Sequence, residues 1–541
     1  MERWKPPIET TKQEDMLLKR LNRVRALFGF LRRHRHELFD DAFQEQLETV
    51  YRDTGAGDEP IAPALLCMVM LLQGYVRASD AEAVELSLVD MRWQLVLGCL
   101  GATEPPFSQG ALQMFRERMI EHELDRALLE KTVSLVRSGA ATKTEAGALT
   151  TALRVAIDSR PLVGAGRVED TINLLGHAAR TIVRIVSKLI ERDPEEICRE
   201  AGAPLLLASS IKAGLDLDWS DPKQKAIGVE IVERQVSSLQ IWVERHLDDV
   251  VSRPLQPYLD ALTQVKAQDL ETSPQGRTRI RQGVAADRRI SVEDSEMRHG
   301  RKSKSKRFDG FKEHIGCDLD LRLILACSVT PANRPEEEGA LPLQQDIHRQ
   351  GLSIAELYID RAYVHSPVVQ DVLEADGDVF SKPWNQRHRN PALFGKIDFK
   401  IDLRTQTITC PAGEVESFEP GDTVQFNPEA CGACSLRAKC TLAAAGRGRT
   451  VSISADEALQ KRFQDLQHAP SGRAILRRRT AVEHALAHVA ARKGSNARYL
   501  GVRKNLFDLR RTAAIQNLEV MSRDLAQQAK ATPKIKLTIP S

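Results

Sequence analysis

Two aspartates stand where short strands run out. In the stretch LRVAID, Leu153, Val155 and Ile157 share one face while Arg154, Ala156 and Asp158 share the other, a two-residue period that ends on a carboxylate. In AELYID, Leu357 and Ile359 point one way and Glu356, Tyr358 and Asp360 the other. An arginine follows each aspartate closely, Arg160 and Arg361. Hard divalent cations such as Mg²⁺ are held by a few carboxylates and leave positions for phosphate oxygens. Two such aspartates with a third acid are therefore the donor set of two-metal phosphoryl transfer. Asp at a strand end is also a turn former, so the carboxylates alone leave both readings open.

A second group carries sulfur. Cys67, Cys99, Cys198, Cys317 and Cys327 are scattered singly through apolar segments and read as buried free thiols. Cys410, Cys431, Cys434 and Cys440 cluster, with a C-x-x-C pair at 431–434. Such a pair presents two thiolates to one metal from a tight turn. Two further cysteines would close a structural Zn²⁺ site with no open position. Free thiols or a disulfide are the alternatives, and His468 is a more distant substitute ligand.

The elements that must position these groups are legible in outline. Residues 12–140 read as helices: PALLCMVMLLQGYV is followed by a helix start at Ser79 and Asp80, and Ser108 can cap a helix carrying Leu112, Phe115 and Met119. Gly139–Gly147 reads as a linker. After the Asp158 strand, Ile172, Leu175, Ile182, Val186 and Leu189 repeat with helical spacing, a second helix covers about 224–247, and helical character persists to about 290. FKEHIGCDL and LRLILACSVT read as a hairpin turning at Asp318–Asp320. From about 376 to 470 short strands with Gly, Pro and Cys suggest an insertion with a sparse core, and helices resume from Ser471 to about Gln528.

Composition bounds the class. The 541 residues have 42% hydrophobic and 28% charged content, which describes a globular protein able to bury a core. The longest apolar stretch, Ile61–Leu72, is far short of the roughly 20 residues that span a bilayer, and the N-terminus lacks a signal-type apolar run. No membrane association and a cytoplasmic location are expected. The net charge of +3 averages over three basic segments. Residues 1–36 hold ten Lys or Arg against four acids, 298–312 seven against Asp309, and 473–511 eleven against Glu483 and Asp508. Such segments fit a polyanion or a solvated surface.

Four stretches together resemble a bacterial insertion-sequence transposase of the DDE type. They are AIDSRPLVGAGRVEDTINLLGHA, EMRHGRKSKSKRFDGFKEHIGCDLDLRLILACSVTPANRPE, LYIDRAYVHSP and RRRTAVEHALAHVAARKGSNARYLGVRKNLFDLRRTAAIQNLEVM. The first 140 residues are similar to the N-terminal domain common in those enzymes. The resemblance implies a mixed α/β chain: a helical N-terminal DNA-binding domain at 1–140, then a ribonuclease-H-like catalytic domain at 148–530, then a tail at 531–541. The catalytic core would be interrupted by a helical insertion at about 168–295 and a β-rich zinc-binding insertion at about 376–470.

It further implies that Asp158 lies on the first core strand, Asp360 on a neighbouring strand and the third acid, Glu483, on a later helix, together holding two Mg²⁺ or Mn²⁺ ions. In that helix Val482, Leu486 and Val489 form the apolar stripe that Glu483 flanks, and Arg479 lies four residues earlier, on the same helix face. Relatives often carry a Tyr, Arg, Glu, Lys signature here. Arg479 and Glu483 keep it, whereas Leu476 and Ala490 replace the Tyr and Lys, with Arg492 and Lys493 nearby. Lys312 and His314 share a face of a strand that, by resemblance, borders the active site. With Arg361, Arg479, Arg492 and Lys493 they are candidate DNA contacts; for Lys312 and His314 a solvated face is the alternative.

The expected activity is metal-dependent cleavage at transposon ends followed by strand transfer into target DNA. The expected partners are double-stranded DNA, as terminal inverted repeats and as target, and a second copy in a homodimer or larger synaptic complex. Two rival functions are a non-catalytic zinc-stabilised DNA-binding regulator and a DNA nuclease without strand transfer.

Overall fold

The computed structural model describes residues 2–21, 26–51, 59–137, 151–248, 252–274, 276–384, 390, 392–444 and 446–531. The expected linker at Gly139–Gly147 and all but the first residue of the expected tail lie outside these. The chain divides into two compact units, one of Met1–Ala152, Asp158–Ser353 and Val482–Ser541, the other of Leu153–Ile157 and Ile354–Ala481.

The first unit opens with eight helices, α1 (Lys12–Leu21), α2 (Ala26–Leu38), α3 (Asp41–Glu48), α4 (Pro63–Val76), α5 (Asp80–Val89), α6 (Met91–Leu97), α7 (Gln109–Glu121) and α8 (Leu124–Arg137). Helix α4 is apolar all round and is buried from Pro63 to Gln73, as a helix without a polar face must be. Ser79 starts α5 through a reciprocal capping box with Glu82, and Ser108 starts α7 by accepting from the Ala111 N–H.

Strand β1 (Ala152–Val163) follows, contributing Asp158–Val163 to this unit. Residues 171–292 then gather an apolar core of their own. Helices α9 (Thr171–Leu189), α10 (Pro194–Glu200), α11 (Ile211–Leu215), α12 (Pro222–His246) and α13 (Gln256–Asp269) lie in this stretch, with a small ladder of β2 (Leu270–Thr272) and β3 (Thr278–Ile280).

Next come β4 (Arg298–Arg301), β5 (Arg307–Asp318) and β6 (Ile324–Pro331). The middle strand pairs antiparallel with both others, and its other neighbour is β1. A helix over Ala340–Arg349, α14, packs on β5 and β6.

The second unit holds Leu153–Ile157 of β1, with β7 (Ser353–Tyr358) beside it and β8 (Asp378–Phe380) parallel to β7. A helix over Pro367–Glu374, α15, leads from one to the other. Beyond them, β9 (Lys400–Asp402), β10 (Thr407–Thr409) and β11 (Val415–Ser417) form one small antiparallel sheet, and β12 (Thr423–Gln425) with β13 (Thr450–Ser452) a second. Phe399, Ile408, Phe418, Val424, Phe426, Val451 and Ile453 are buried together beneath them. Four helices complete this part, α16 (Pro428–Ala433), α17 (Arg437–Cys440), α18 (Glu457–His468) and α19 (Pro470–Arg477).

The chain ends in α20 (Thr480–Lys493) and the long α21 (Val502–Ala531). In the first unit α21 packs against α2, α4, α8 and β6, burying Phe507, Leu509, Ala513, Ala514, Ile515, Leu518 and Met521. Asn517 ties this helix to the sheet. Its amide accepts from Ile324 N at 2.8 Å and donates to Ile324 O at 2.9 Å and Thr132 Oγ1 at 3.0 Å. No helix among the described residues is long and apolar enough to cross a membrane.

Candidate active site and cysteine pocket

Strand β1 does not stop at the first aspartate but runs five residues past it. Before Asp158 both faces of the strand are covered, with Leu153, Val155, Ala156 and Ile157 all buried, and after it Arg160 and Leu162 are buried while Pro161 and Val163 are more open. Asp158 and Ser159 are half-buried, and Ser159 N donates to Asp158 Oδ1 at 2.8 Å.

Asp360 lies two residues past the end of β7, half-buried, and caps a short turn by accepting from Arg361 N at 2.8 Å. Tyr358 is 1% exposed rather than facing solvent, stacked on Phe380 with ring centroids 4.8 Å apart and hydrogen-bonded to Glu356 and to Arg478. Arg361 is half-buried, and its buried Nε has no hydrogen-bond partner among the described residues.

Glu483 is exposed on α20, whose buried stripe is Val482, Ala485, Leu486, Val489 and Lys493. Arg479 does not share its helix. Residues 478 and 479 form a turn between α19 and α20, so the four-residue spacing spans a break in the helix. Of the three carboxylates, Asp158 and Glu483 fall in the first unit and Asp360 in the second.

Four expected DNA contacts turn out otherwise. His314 is fully buried, Nε2 lying 2.9 Å from Thr330 Oγ1, with its ring against Gly339, where a Cβ would come within 2.4 Å of Nδ1. Burial, helped by Lys312, pushes its pKa down to about 3, so the imidazole is neutral and offers a phosphate no charge. Lys312 is 9% exposed and donates to Arg334 O at 2.6 Å; burial lowers its pKa while Glu336 and Glu338 oppose the shift. The face that alternation assigned to solvent is covered by 336–349. Arg492 pairs with Glu519 and lies over the Tyr75 ring.

Lys493 is buried between Glu313 and Asp508, the latter at 3.1 Å. Burial pulls its pKa down, and the two carboxylates outweigh that and raise it.

Glu313 is the residue sequence reasoning missed. It has no exposed surface, accepts from Arg160 at 2.6 Å and from Lys493, and so joins β1, β5 and α20. Arg160 also donates to Gly494 O at 2.9 Å, while Val163 exchanges backbone hydrogen bonds with Ser495 and Ala497. The strand bearing Asp158 is thereby locked in register with the helix bearing Glu483. The signal was present: Glu313 falls on the same strand face as Phe311 and Ile315, where an acid requires buried partners.

Cys410, Cys431, Cys434 and Cys440 line one pocket, and none forms a disulfide. Leu436 N lies 3.4 Å from Cys434 Sγ and Arg449 N lies 3.5 Å from Cys431 Sγ, a donor arrangement suited to thiolates. Burial raises the Cys440 pKa, Arg449 opposes this, and the other three cysteines add to the rise. Even so, among the described residues no group of three or more His, Cys, Asp or Glu side chains is gathered so as to hold a metal ion. The sulfurs share a pocket without forming a ready-made ligand set.

Two outcomes follow from these contacts. Replacing Glu313 by Gln leaves Arg160 without its buried counter-charge and Lys493 with Asp508 alone, and should lower unfolding free energy by about 3 kcal/mol or more, measured by urea denaturation. An unfolded histidine binds a proton near pH 6.5, whereas native His314 does so only near 3. Its contribution is complete above 6.5 and is lost as pH falls through that window. The stability of His314→Gln should therefore depend less on pH between 6.5 and 3, by about 1.4 kcal/mol per pH unit; parallel curves for the two proteins would contradict the assignment.

Against known proteins, residues 409–522 match the family model described as a transposase DDE domain. No curated protein and no solved structure matches the chain. The matched segment takes in Cys410, Cys431, Cys434, Cys440, Glu483 and the buried face of α21, and it bears out the resemblance of this chain to DDE-type transposases.

Proposed function

We propose that this chain is a DNA transposase that cleaves at the ends of a mobile element and transfers the freed strand into target DNA. The observation that carries the reading is the transposase DDE match over the segment containing Glu483. It is supported by the aspartates: Asp158 lies on β1 and Asp360 follows β7, strands that neighbour one another.

The three carboxylates supply oxygen donors only, the donor type of Mg²⁺ or Mn²⁺. When bound, two such ions activate the attacking water and stabilise the leaving 3′ oxygen. Asp158, Asp360 and Glu483 hold them in this reading. The Arg361 N–H fixes the orientation of the Asp360 carboxylate, and the guanidinium of the half-buried Arg361 is a candidate phosphate contact. Glu313 keeps β1 and α20 in register. Two element ends must be held together, which calls for a homodimer or larger synaptic complex. The helical residues 1–140 would bind the terminal repeats.

Alanine at Asp158, Asp360 or Glu483 should abolish 3′ nicking and strand transfer on a fragment bearing the element ends with Mg²⁺, while binding of that fragment persists. Cleavage at the wild-type rate by Asp360→Ala would refute the assignment. Nicking without joining would favour a nuclease, and binding without either would favour a regulator.

The four thiols of the cysteine pocket are the donor type of a structural Zn²⁺ site, and in this reading the ion would have to draw them together, since they are not gathered as a ligand set. An ion held there would supply folding free energy to a part with a small apolar core. Metal analysis of the purified protein should give one zinc per chain, reduced in Cys434→Ser; a zinc-free wild-type protein with an unchanged melting temperature would refute this part alone.

A further inference from the structure

The tip of the β4–β5 hairpin carries Arg301, Lys302, Lys304, Lys306 and Arg307, all exposed, with only Ser303 and Ser305 between them. Arg301 and Arg307 stand directly opposite each other across the ladder. Like charges so placed destabilise a ribbon. Among the described residues, the charged contacts of this hairpin lie at its base, where Arg298 pairs with Asp287 at 2.8 Å and His299 bonds to Asp309 at 2.6 Å.

That base is rigid. A Cβ at Gly300 would come within 2.6 Å of the Ala332 Cβ. Gly310, with φ +147°, sits where a Cβ would fall 2.2 Å from Leu162 O, and Gly164 N donates to Asp309 O at 2.8 Å. The tip is closed by Lys302 N bonding to Lys306 O at 2.9 Å and Lys306 N to Ser303 Oγ at 3.0 Å. An ordered ribbon thus holds five uncompensated cations at a fixed place beyond the end of the strand that carries Asp158.

We propose that this ribbon grips the phosphates of duplex DNA without reading sequence, an inference that rests on the transposase reading above. The outermost side chains are Lys and Ser, which contact phosphate oxygens and position a duplex rather than specify bases. A two-stranded ribbon fits the major groove of B-form DNA, about 12 Å wide, whereas the A-form RNA major groove is too deep and narrow. No apolar side chain lies at the tip to enter a lipid surface. A bound polyphosphate would also relieve the Arg301–Arg307 repulsion.

The test uses the full chain, as wild type, as Lys302→Gln/Lys304→Gln, and as the variant with all five cations changed to Gln. Binding to an arbitrary DNA duplex and to one bearing the element ends is followed by fluorescence anisotropy over a salt series. For every phosphate that is no longer neutralised, the slope of log K against log salt should become shallower by about 0.9, hence by about 1.8 for the double variant and about 4.5 for the fivefold one. Affinity should fall equally for both duplexes. An unchanged slope overturns the proposal, as does a weakening confined to the end-bearing duplex, or tighter wild-type binding to an RNA duplex or to phosphatidylglycerol vesicles. If the fivefold variant does not fold, the double variant decides.

Nicking assayed on the same proteins separates the two readings. A wild type that cuts ends while the variants keep its salt slope removes only the grip; one that cuts nothing while the slopes shift as stated removes only the transposase.

Discussion

A carboxylate with no exposed surface, Glu313, holds the first unit together. Arg160 reaches it from β1 and Lys493 from α20, and Lys493 in turn meets Asp508 on α21, which is paired with Arg511 at 2.6 Å. Burial works against the charge on Asp508, and Lys493 with Arg511 more than offsets it, holding the carboxyl far below its usual range. Compared with an apolar cluster of the same shape, a buried ionic chain of this kind adds little net stability. Its effect is selective, since any slip of one element strands a charge in a low-dielectric interior at a cost of several kcal/mol. Strand, sheet and helix therefore have one permitted register.

That constraint matters because the groups proposed for chemistry lie on elements far apart in sequence. Asp158 is two residues from Arg160, and Glu483 is on the same helix as Lys493. Asp158 is half-buried and Glu483 exposed, and the backbone that carries each is held by a buried neighbour on the same element.

Much of this was legible in the residues. The capping serines, the all-apolar α4, the β5–β6 hairpin and the strand before Asp158 follow from local rules that tertiary contacts did not override. The misreadings share one cause. Alternation shows which side chains share a face, but not what later covers that face. Lys312 and His314 alternate with Phe311 and Ile315 as a solvated face would, and 336–349 then closes over them. The break at 478–479 was hidden for a related reason: Arg and Thr continue a helix as readily as they leave one, and no Gly or Pro marks the turn. Glu313 was the opposite case, an acid on an apolar face, where the violated pattern was itself the signal.

The basic segments show how far a charge count can be carried. The segment 473–511 holds more cations than the hairpin, yet Arg492, Lys493, Arg503, Arg510 and Arg511 all turn inward, onto Glu519, Glu313, Asp125, Asp346 and Asp508. Those pairs join α21 to α8 and α14, and the charge they carry is cancelled where it lies. In the hairpin the arrangement is inverted. Gly300, Gly310 and Arg298 secure the base, and the tip cations face water with like charge opposite like. Two stretches that look alike in sequence therefore differ in part: these five cations of 473–511 are neutralised from within, while Arg473, Arg477, Arg498 and Lys504 stay exposed, and the hairpin tip projects a concentrated positive potential.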